Sequence, residues 1–277
     1  MTSARLHPAR LGTVAAVVLA LAAAAIGVPG ATRPAAAKTV KGCAAPRSAV
    51  IMQVPATYRK NVALTFDDGP SAFTPMILEV LQREGIKATF FVTGKAVKAH
   101  PELAKAIVAD GHVIGNHSYS HPQDVAGSVP RIAFTRMSRA AQESQLDRTN
   151  AEIRRATGRL PCFFRGPGGS HQGATTRTVA ANRGMSVVHW TQSSGDWAKG
   201  AKTESKAKQR DIIRRATTPL RAHALVLFHD GKASAEPERR VSSNRINTVR
   251  ALPSVIKFYK ARGYVFTDPA GRRLARG

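Results

Sequence analysis

The chain has 277 residues, of which 42 are Lys or Arg and only 17 are Asp or Glu, so its formal net charge is +25 at pH 7. This length is enough for one large domain or two small ones with a buried core. The charge predicts attraction to a polyanion such as nucleic acid, an anionic membrane or an acidic cell wall, and by itself selects none of them. A solvated basic surface without a partner is the alternative.

The N-terminal segment has the layout of a secretory signal peptide. Arg5 and Arg10 precede an uncharged apolar run, residues 11–28, and the alanines at 35–37 offer a small-residue cleavage site before Lys38. An uncleaved single-span anchor is the alternative, because the run reaches the lower length limit for crossing a bilayer. We expect residues 1–37 to be removed and the protein to be secreted, either extracellular or associated with the cell wall.

Export narrows the choice of polyanion. Cleavage after residue 37 would leave 39 basic and 17 acidic residues, a net charge of +22, on the exported part. The polyanion then lies outside the cell, which disfavours nucleic acid and favours anionic cell-wall polymers. We expect the exported protein to be a monomer.

Residues 38–60 form a polar leader that contains Cys43, one of only two cysteines; the other is Cys162. Outside the cytosol an even pair of cysteines commonly oxidises, and a bridge here would tie the leader to the following domain. Two buried thiols are the alternative.

From residue 61 onward, short apolar runs alternate with longer segments of helical periodicity. We predict seven strands, over residues 62–66, 88–92, 112–115, 162–164, 185–190, 224–228 and 264–266. The predicted helices cover residues 74–82, 101–109, 138–157, 174–182, 205–216 and 246–262. This alternation predicts an α/β fold of parallel units with barrel-like closure and its chemistry at the carboxyl ends of the strands. We predict a domain over residues 61–270 and a basic C-terminal tail over 271–277.

Two adjacent carboxylates, Asp67 and Asp68, follow the first predicted strand in the segment Thr-Phe-Asp-Asp-Gly-Pro, residues 65–70. Neighbouring carboxylates repel each other and burial raises their pKa values. The pair therefore persists most easily if a cation neutralises one of them and the other serves as a base. An Asp-Gly-Pro turn that merely closes the strand is the simpler alternative.

Two histidines four residues apart, His117 and His121, follow the third predicted strand. They can converge on one metal ion, and Asp68 from another strand end would complete a three-ligand site with positions open for water. The His pair alone is weak evidence. Combined with the Asp pair, it predicts a metal site.

Further polar residues follow later strands. Arg165 enters a rigid Gly-Pro-Gly-Gly loop, residues 166–169, whose backbone N–H groups could face a developing oxyanion. Asp196 and Trp197 follow the strand that ends at residue 190, and His229 ends the strand that begins at 224. A His at a strand end is often only a packed residue, but a hydrolase with one carboxylate base still needs a separate acid.

Together these residues resemble the polysaccharide deacetylases of the NodB homology family, also called carbohydrate esterase family four. The resemblance runs from about residue 61 to residue 268. It rests on five motifs in order: residues 65–70, His117 with His121, Arg165 with Pro167 and Gly169, Asp196 with Trp197, and Leu-Phe-His-Asp at 227–230.

The resemblance implies a distorted (β/α) barrel, a divalent metal cofactor that is usually zinc and sometimes cobalt, and removal of acetyl groups from N-acetylated or, in some members, O-acetylated sugars. By the same resemblance Asp67 is the general base, His229 is the general acid, Arg165 orients Asp67 and Asp196 tunes His229. The implied metal ligands are Asp68, His117 and His121. The implied substrate-binding residues are Pro167, Gly168, Gly169, Trp197 and Leu227.

Two positions depart from the family pattern. Gly168 stands where the family usually has an aromatic residue, whose N–H serves the oxyanion and whose ring walls the substrate groove. Ser193 stands where the family often has a further Asp. Both departures bear on substrate preference more than on the reaction.

We therefore expect a metal-dependent N-deacetylase. The positive charge suits a wall rich in teichoic acid, so peptidoglycan sugars rank first as substrate, chitin oligomers second and acetylxylan third. The alternatives are an acetylxylan esterase, or an inactive protein that binds cell-wall polysaccharide, for which the altered Gly168 position is the best support.

Overall fold

The computed structural model describes residues 1–2, 42–124, 132–171, 173–199 and 203–274. The predicted signal peptide lies outside the described residues except for its first two, so it stays a prediction. None of the helices in the described ranges is both long and apolar enough to cross a membrane.

Eight strands in the described part of the chain form one sheet. They are β1 (Asn61–Asp67), β2 (Thr89–Val92), β3 (Val113–Asn116), β4 (Phe163–Phe164), β5 (Ser186–Val187), β6 (Gln192–Ser193), β7 (His223–His229) and β8 (Val265–Phe266). Their order is β5-β4-β3-β2-β1-β7-β6, and β8 pairs with the first residues of β1. All these pairs are parallel, and the sheet curls into a half-barrel that is open between β5 and β6. The predicted distorted (β/α) barrel is confirmed.

Seven helices surround the sheet within the same ranges. They are α1 (Thr74–Arg83), α2 (Gly94–Ala99), α3 (Pro101–Ala109), α4 (Arg139–Thr157), α5 (Ala174–Ala181), α6 (Lys206–Thr217) and α7 (Ile246–Lys260). The ends of α4 show how the sequence fixes such boundaries. The Ser138 hydroxyl accepts a hydrogen bond from the Ala141 N–H at 3.3 Å, and Gly158 ends the helix at φ +70. A side-chain cap and a left-handed glycine satisfy N–H and C=O groups that the helix itself leaves unpaired.

The sequence predicted most of these elements but missed two. Neither α2 nor β6 was expected, because one is a six-residue helix and the other a two-residue strand without an apolar run. The strand predicted over 185–190 was too long. The sheet pairing of β5 covers only Ser186–Val187, and the next residue, Val188, bridges instead to Ile51 of the leader.

The core is built around β1, in which all seven residues are buried. A parallel strand covered on both faces has a continuous apolar run rather than an alternating one. The ring of Phe66 stacks between Phe90 and Phe228, with centroid separations of 5.0 and 5.6 Å. Burial of each such ring contributes roughly 1.5–3 kcal/mol, so this stack holds β1, β2 and β7 in register.

The described part of the leader packs onto the barrel. Ile51 and Val54 are buried, and the backbone N–H of Ile51 donates to Val187 O at 2.8 Å. Cys43 and Cys162 form the predicted disulfide, with their Cα atoms 5.4 Å apart. The bridge joins the leader to the residue that precedes β4, at the amino end of the strands.

Candidate active site

The polar residues of all five motifs lie at the carboxyl ends of the strands. Asp67 is the last residue of β1 and is in register with His229, the last residue of β7. His117 follows β3 directly and Arg165 follows β4. Because all strands are parallel, their carboxyl ends meet at one edge of the barrel. Residues up to 162 positions apart in sequence are thereby brought together.

Asp68, His117 and His121 form a buried cluster that could hold a metal ion. Their ligand atoms all lie within 4.8 Å of one another. Oδ1 of Asp68 is 3.4 Å from His117 Nε2 and 3.3 Å from His121 Nε2. This oxygen is buried and has no hydrogen-bond partner. An unpaired buried carboxylate oxygen facing two imidazole nitrogens is the donor set that a divalent cation such as zinc accepts, so the residues fit the cofactor that the family implies.

Two of the three residues of the cluster have strained backbone conformations. Asp68 and His121 have φ angles of +75 and +55, in the left-handed region that residues with a side chain seldom adopt. Hydrogen bonds hold both in place: the Asp68 N–H donates to Phe91 O at 3.2 Å, and the His121 N–H donates to the Ser118 hydroxyl at 3.1 Å. Strain of this kind clusters at functional sites, where the surrounding structure enforces it.

The surroundings act differently on the two histidines of the cluster. Nδ1 of His117 lies 2.7 Å from the carbonyl of Arg165, which can only accept, so Nδ1 carries a proton and Nε2 is the nitrogen that faces Asp68. Burial lowers the pKa of His121 to about 4. For Asp68, burial would raise the pKa, but the neighbouring histidines outweigh it and the pKa is lowered. Burial would lower the pKa of His117, but the carboxylates of Asp67 and Asp68 outweigh it and raise this pKa. A bound cation would therefore displace a proton from His117 Nε2, and the cluster would offer it one carboxylate and two imidazole donors.

Asp67 lies beside the cluster of Asp68, His117 and His121, but its carboxylate is hydrogen-bonded to Arg165. Nη1 of Arg165 donates to Asp67 Oδ1 at 2.8 Å, and the other oxygen, Oδ2, is 3.6 Å from His117 Nε2. The same Nη1 also donates to the Thr65 hydroxyl at 2.8 Å. One carboxylate oxygen is thus fixed by the guanidinium while the other faces the cluster, as a base beside a metal-bound reactant requires.

His229 and Asp196 form a second buried pair across the site. Asp196 Oδ1 is 2.8 Å from His229 Nδ1, and Asp196 Oδ2 accepts the backbone N–H of His229 at 2.9 Å. Burial alone would lower the pKa of His229, but the charge of Asp196 and its hydrogen bond outweigh this and raise it to about 9. The reciprocal attraction lowers the pKa of Asp196 to about 2 against the effect of burial. His229 is therefore protonated at neutral pH, with Nε2 4.0 Å from Asp68 Oδ2.

The residues that support this pair have no signature in the sequence. The Thr248 hydroxyl donates to Asp196 Oδ2 at 2.9 Å. Arg245 is fully buried, donates to Gly231 O through Nε at 2.8 Å, and lowers the pKa of Asp196 by its charge. Both belong to the start of α7 and carry no local motif. Only the packing of α7 against the sheet brings them to the site.

Asp230, the last residue of the fifth motif, stabilises the turn after β1. Its carboxylate accepts the Gly69 N–H at 3.1 Å and the Thr74 hydroxyl at 2.6 Å, and burial raises its pKa to about 7. A Cβ on Gly69 would lie 2.0 Å from Asp230 Oδ2. Glycine is thus required in the segment 65–70 so that this carboxyl group can anchor the turn after β1.

The predicted substrate-binding residues are distributed unevenly. Gly168 is exposed, Gly169 is partly exposed and Trp197 has 41% of its surface exposed. Pro167 is buried, and Leu227 is only 3% exposed within β7, which leaves it little surface to offer a substrate. Their roles stay predictions. Ser193, at the second departure, lies in β6 and pairs with Leu227.

A sequence model of the family described as "Polysaccharide deacetylase" matches residues 55–188. A chitooligosaccharide deacetylase of a Bradyrhizobium species is 34% identical over 209 residues, which cover 74% of this chain and 87% of that protein. The chain belongs to the polysaccharide deacetylase family. A peptidoglycan-N-acetylglucosamine deacetylase of Listeria monocytogenes is 31% identical over 224 residues, 80% of this chain. The match spans only 41% of that longer relative.

Solved structures of this family share the fold. A family 4 carbohydrate esterase from Streptomyces lividans, in complex with acetate, has a TM-score of 0.61 at 30% identity and covers 78% of this chain and 97% of its own. A family pseudoenzyme from Bacillus anthracis has a TM-score of 0.64 at 27% identity and covers 82% of this chain and 71% of its own. Membership in the family therefore includes both active and inactive members, and the individual site residues must decide between them.

Proposed function

We propose that this polysaccharide deacetylase is a secreted, metal-dependent N-deacetylase that removes acetyl groups from N-acetylated sugars of a polysaccharide. One observation carries the proposal. A buried three-residue donor set, a carboxylate fixed by an arginine and a histidine fixed by a carboxylate lie together at one edge of the barrel. Hydrolysis of an amide needs all three: an electrophilic centre, a base and an acid.

Asp68, His117 and His121 would hold the metal ion, which supplies a Lewis acid for the acetyl carbonyl and for water when bound. Zinc suits a donor set of two imidazoles and one carboxylate, and cobalt is the alternative. Asp67 takes the proton of the attacking water. Arg165 orients the Asp67 carboxylate for this step through the hydrogen bond to Oδ1. The backbone N–H of Gly168 is proposed to donate to the developing oxyanion, because Pro167 has no N–H and that of Gly169 donates to Gly166 O at 3.1 Å.

The second half of the reaction is assigned to His229. The amine cannot leave as an anion, so the bond to the carbonyl carbon breaks as His229 Nε2 delivers its proton to the nitrogen. Asp196 holds the imidazolium form that makes this possible. Acetate and the free amino sugar are the products, and the proton that Asp67 took from water balances the one that His229 gave.

Peptidoglycan is proposed as the first substrate and chitooligosaccharides as the second. Relatives with either activity in their names match this chain at similar identity, so the comparisons favour neither. The charge supports the first choice: a net charge of +22 on the exported part suits a wall that carries anionic polymers. These anionic polymers are proposed as a second partner, which retains a monomeric enzyme in the wall after export.

An inactive polysaccharide-binding protein is the competing candidate. The pseudoenzyme from Bacillus anthracis and the missing aromatic residue at position 168 favour it. The presence of the complete set of donor, base and acid residues argues against it. An acetylxylan esterase would use the same residues on an ester, and its substrate lacks the dense charge that this surface would attract.

The test is acetate release from N-acetylated peptidoglycan, chitooligosaccharide and acetylxylan, each at two salt concentrations, by the exported part of the chain. An N-deacetylase releases acetate from the amides, and a chelator abolishes the release until zinc or cobalt is restored. Acetate from xylan alone would identify an esterase. Binding to the polymers without any acetate release would identify the inactive protein, and salt-insensitive sedimentation with cell walls would refute the anionic partner.

A further inference from the structure

Three rings form a stack beside the candidate site that no part of the proposed mechanism uses. The ring centroid of His189 is 4.0 Å from that of Trp190, with the planes 12° apart. The ring centroid of His189 is also 4.0 Å from that of His171, with the planes 52° apart. All three side chains are partly exposed. We call His171, His189 and Trp190 the ring stack.

The ring stack lies against the loop that follows Arg165. A Cβ on Gly169 would be 2.9 Å from Trp190 Cη2 and 3.2 Å from His189 Nε2. The carbonyl of His189 accepts from Arg165 Nη2 at 2.8 Å, while Nη1 of the same guanidinium holds Asp67. A single buried side chain thus ties the backbone of the ring stack to the general base, which fixes the stack relative to the reacting atoms.

The hydrogen bonds of His171 and His189 determine which ring nitrogens can accept a hydrogen bond from a ligand. Nδ1 of His171 contacts the carbonyl of Gly169, and Nδ1 of His189 lies 3.1 Å from the carbonyl of Trp190. A carbonyl only accepts, so both Nδ1 atoms carry protons, and in a neutral ring Nε2 is the acceptor. Burial and the proximity of His171 lower the pKa of His189 to about 4, so this ring is neutral at neutral pH. The stack therefore combines aromatic surface with acceptors for hydroxyl groups.

Position 168, in the same loop, cannot easily carry a side chain. Gly168 has φ +59, and a Cβ there would lie 3.1 Å from Gln123 Oε1. Gln123 is buried and donates to Glu236 at 3.3 Å. Both the backbone and its neighbour thus disfavour a side chain at 168, so any ring surface beside this loop has to come from another element.

We propose that the ring stack is a sugar-binding surface of this enzyme, which contacts a pyranose unit of the substrate and supplies the groove wall that Gly168 lacks. The C–H groups of a pyranose pack on aromatic rings, whose faces are electron-rich, and its hydroxyl groups donate to the imidazole Nε2 atoms. The ligand class is an oligomer of N-acetylated hexosamines. This inference rests on the proposed function, because it presumes a polysaccharide substrate.

Kinetics on tetra-N-acetylchitotetraose test the surface. We expect KM to rise roughly three- to tenfold in His171→Ala and in His189→Ala, with a smaller change in kcat, because a stacked ring contributes to binding of about that size. His189→Phe, which restores a ring without the acceptor, should recover part of the loss. His100→Ala is the matched control, since His100 is an exposed histidine away from the strand ends.

Fluorescence provides a readout that does not need turnover. The chain has two tryptophans, so Trp197→Phe leaves Trp190 as the only one. A chelator keeps this variant free of metal, so that it does not turn over the substrate. Titration with tetra-N-acetylchitotetraose should then give a saturable change in Trp190 emission. The double variant that also carries His189→Ala should bind with an apparent affinity weaker by the factor seen in KM.

The outcomes separate this inference from the proposed function. A wild-type protein that releases no acetate contradicts the function. An active enzyme whose KM is the same in His171→Ala, His189→Ala and the control contradicts the ring stack. Calorimetric binding of the oligosaccharide with no change in Trp190 emission would also contradict the ring stack. A loss of kcat and of melting temperature with unchanged KM would contradict it too, because the stack would then have only a structural role.

Discussion

The guanidinium of Arg165 donates to Asp67 Oδ1 at 2.8 Å with both side chains almost wholly buried, at 0% and 3% exposure. Arg165 also stacks over the ring of Phe91, its Cζ 4.2 Å from the centroid. A buried charge is costly unless paired, and removing one member of such a pair leaves the other uncompensated. The pair therefore fixes the orientation of Asp67 and leaves its Oδ2 to face the candidate metal ligands Asp68, His117 and His121.

Each of the three donors should be required for metal binding. Asp68→Ala, His117→Ala and His121→Ala remove one of three protein ligands, so bound metal and acetate release should be lost together. Elemental analysis of the purified variants gives the metal content, with His100→Ala as the control. A variant that retains stoichiometric metal would exclude its residue from the coordination of the ion.

Asp67→Asn should separate chemistry from metal binding. The amide preserves the shape of the side chain but cannot take a proton, so kcat should fall by roughly two or more orders of magnitude. The metal content and the circular dichroism spectrum should remain close to those of the wild type, which shows that the site is still assembled. Near-normal acetate release would refute the role of Asp67.

His229→Ala should distinguish amides from activated esters. An amine must be protonated as it leaves, whereas a nitrophenolate departs without a proton. The variant should therefore lose much more activity on an N-acetylated oligosaccharide than on nitrophenyl acetate. Equal losses on both substrates would mean that His229 maintains the site and that another group donates the proton.

Asp196→Asn should move the alkaline limb of the pH–rate profile to lower pH. Asp196 raises the pKa of His229, and the protonated form is the acid, so activity falls as the pH rises through that pKa. Without the anionic partner the pKa of His229 drops, and the limb follows it downward. Asp110→Asn, which changes an exposed acid, is the control. An unmoved limb would show that His229 is not the titrating acid.

Loss of the disulfide should affect stability rather than chemistry. Cys43→Ser with Cys162→Ser removes a link between residues 119 apart in sequence, and this should lower the free energy of unfolding by roughly 2–5 kcal/mol. Denaturant titration measures the loss. Acetate release at 25 °C should stay within about twofold of the wild type, because the bridge lies at the amino end of the strands. A large loss of activity without a loss of stability would contradict this separation.

The sequence by itself determined the fold class and the inner residues of the candidate site. The alternation of buried runs such as β1 with amphipathic helices is local information, and a parallel sheet necessarily brings its carboxyl ends together. Asp67, Asp68, His117 and His229 could therefore be predicted to converge, and the structure places them within a few ångströms of one another.

Only the tertiary structure revealed the residues that support them. Thr248 reaches Asp196 because α7 packs against the sheet, and the ring stack forms because the backbone of His189 is held by Arg165. Neither contact has a periodicity or motif, since each joins a side chain to a group from a different part of the fold. Hydrophobic patterning is encoded residue by residue along the chain, whereas such positioning contacts depend on how whole elements pack, and this is why the sequence predicted the reacting groups but not the residues that hold them.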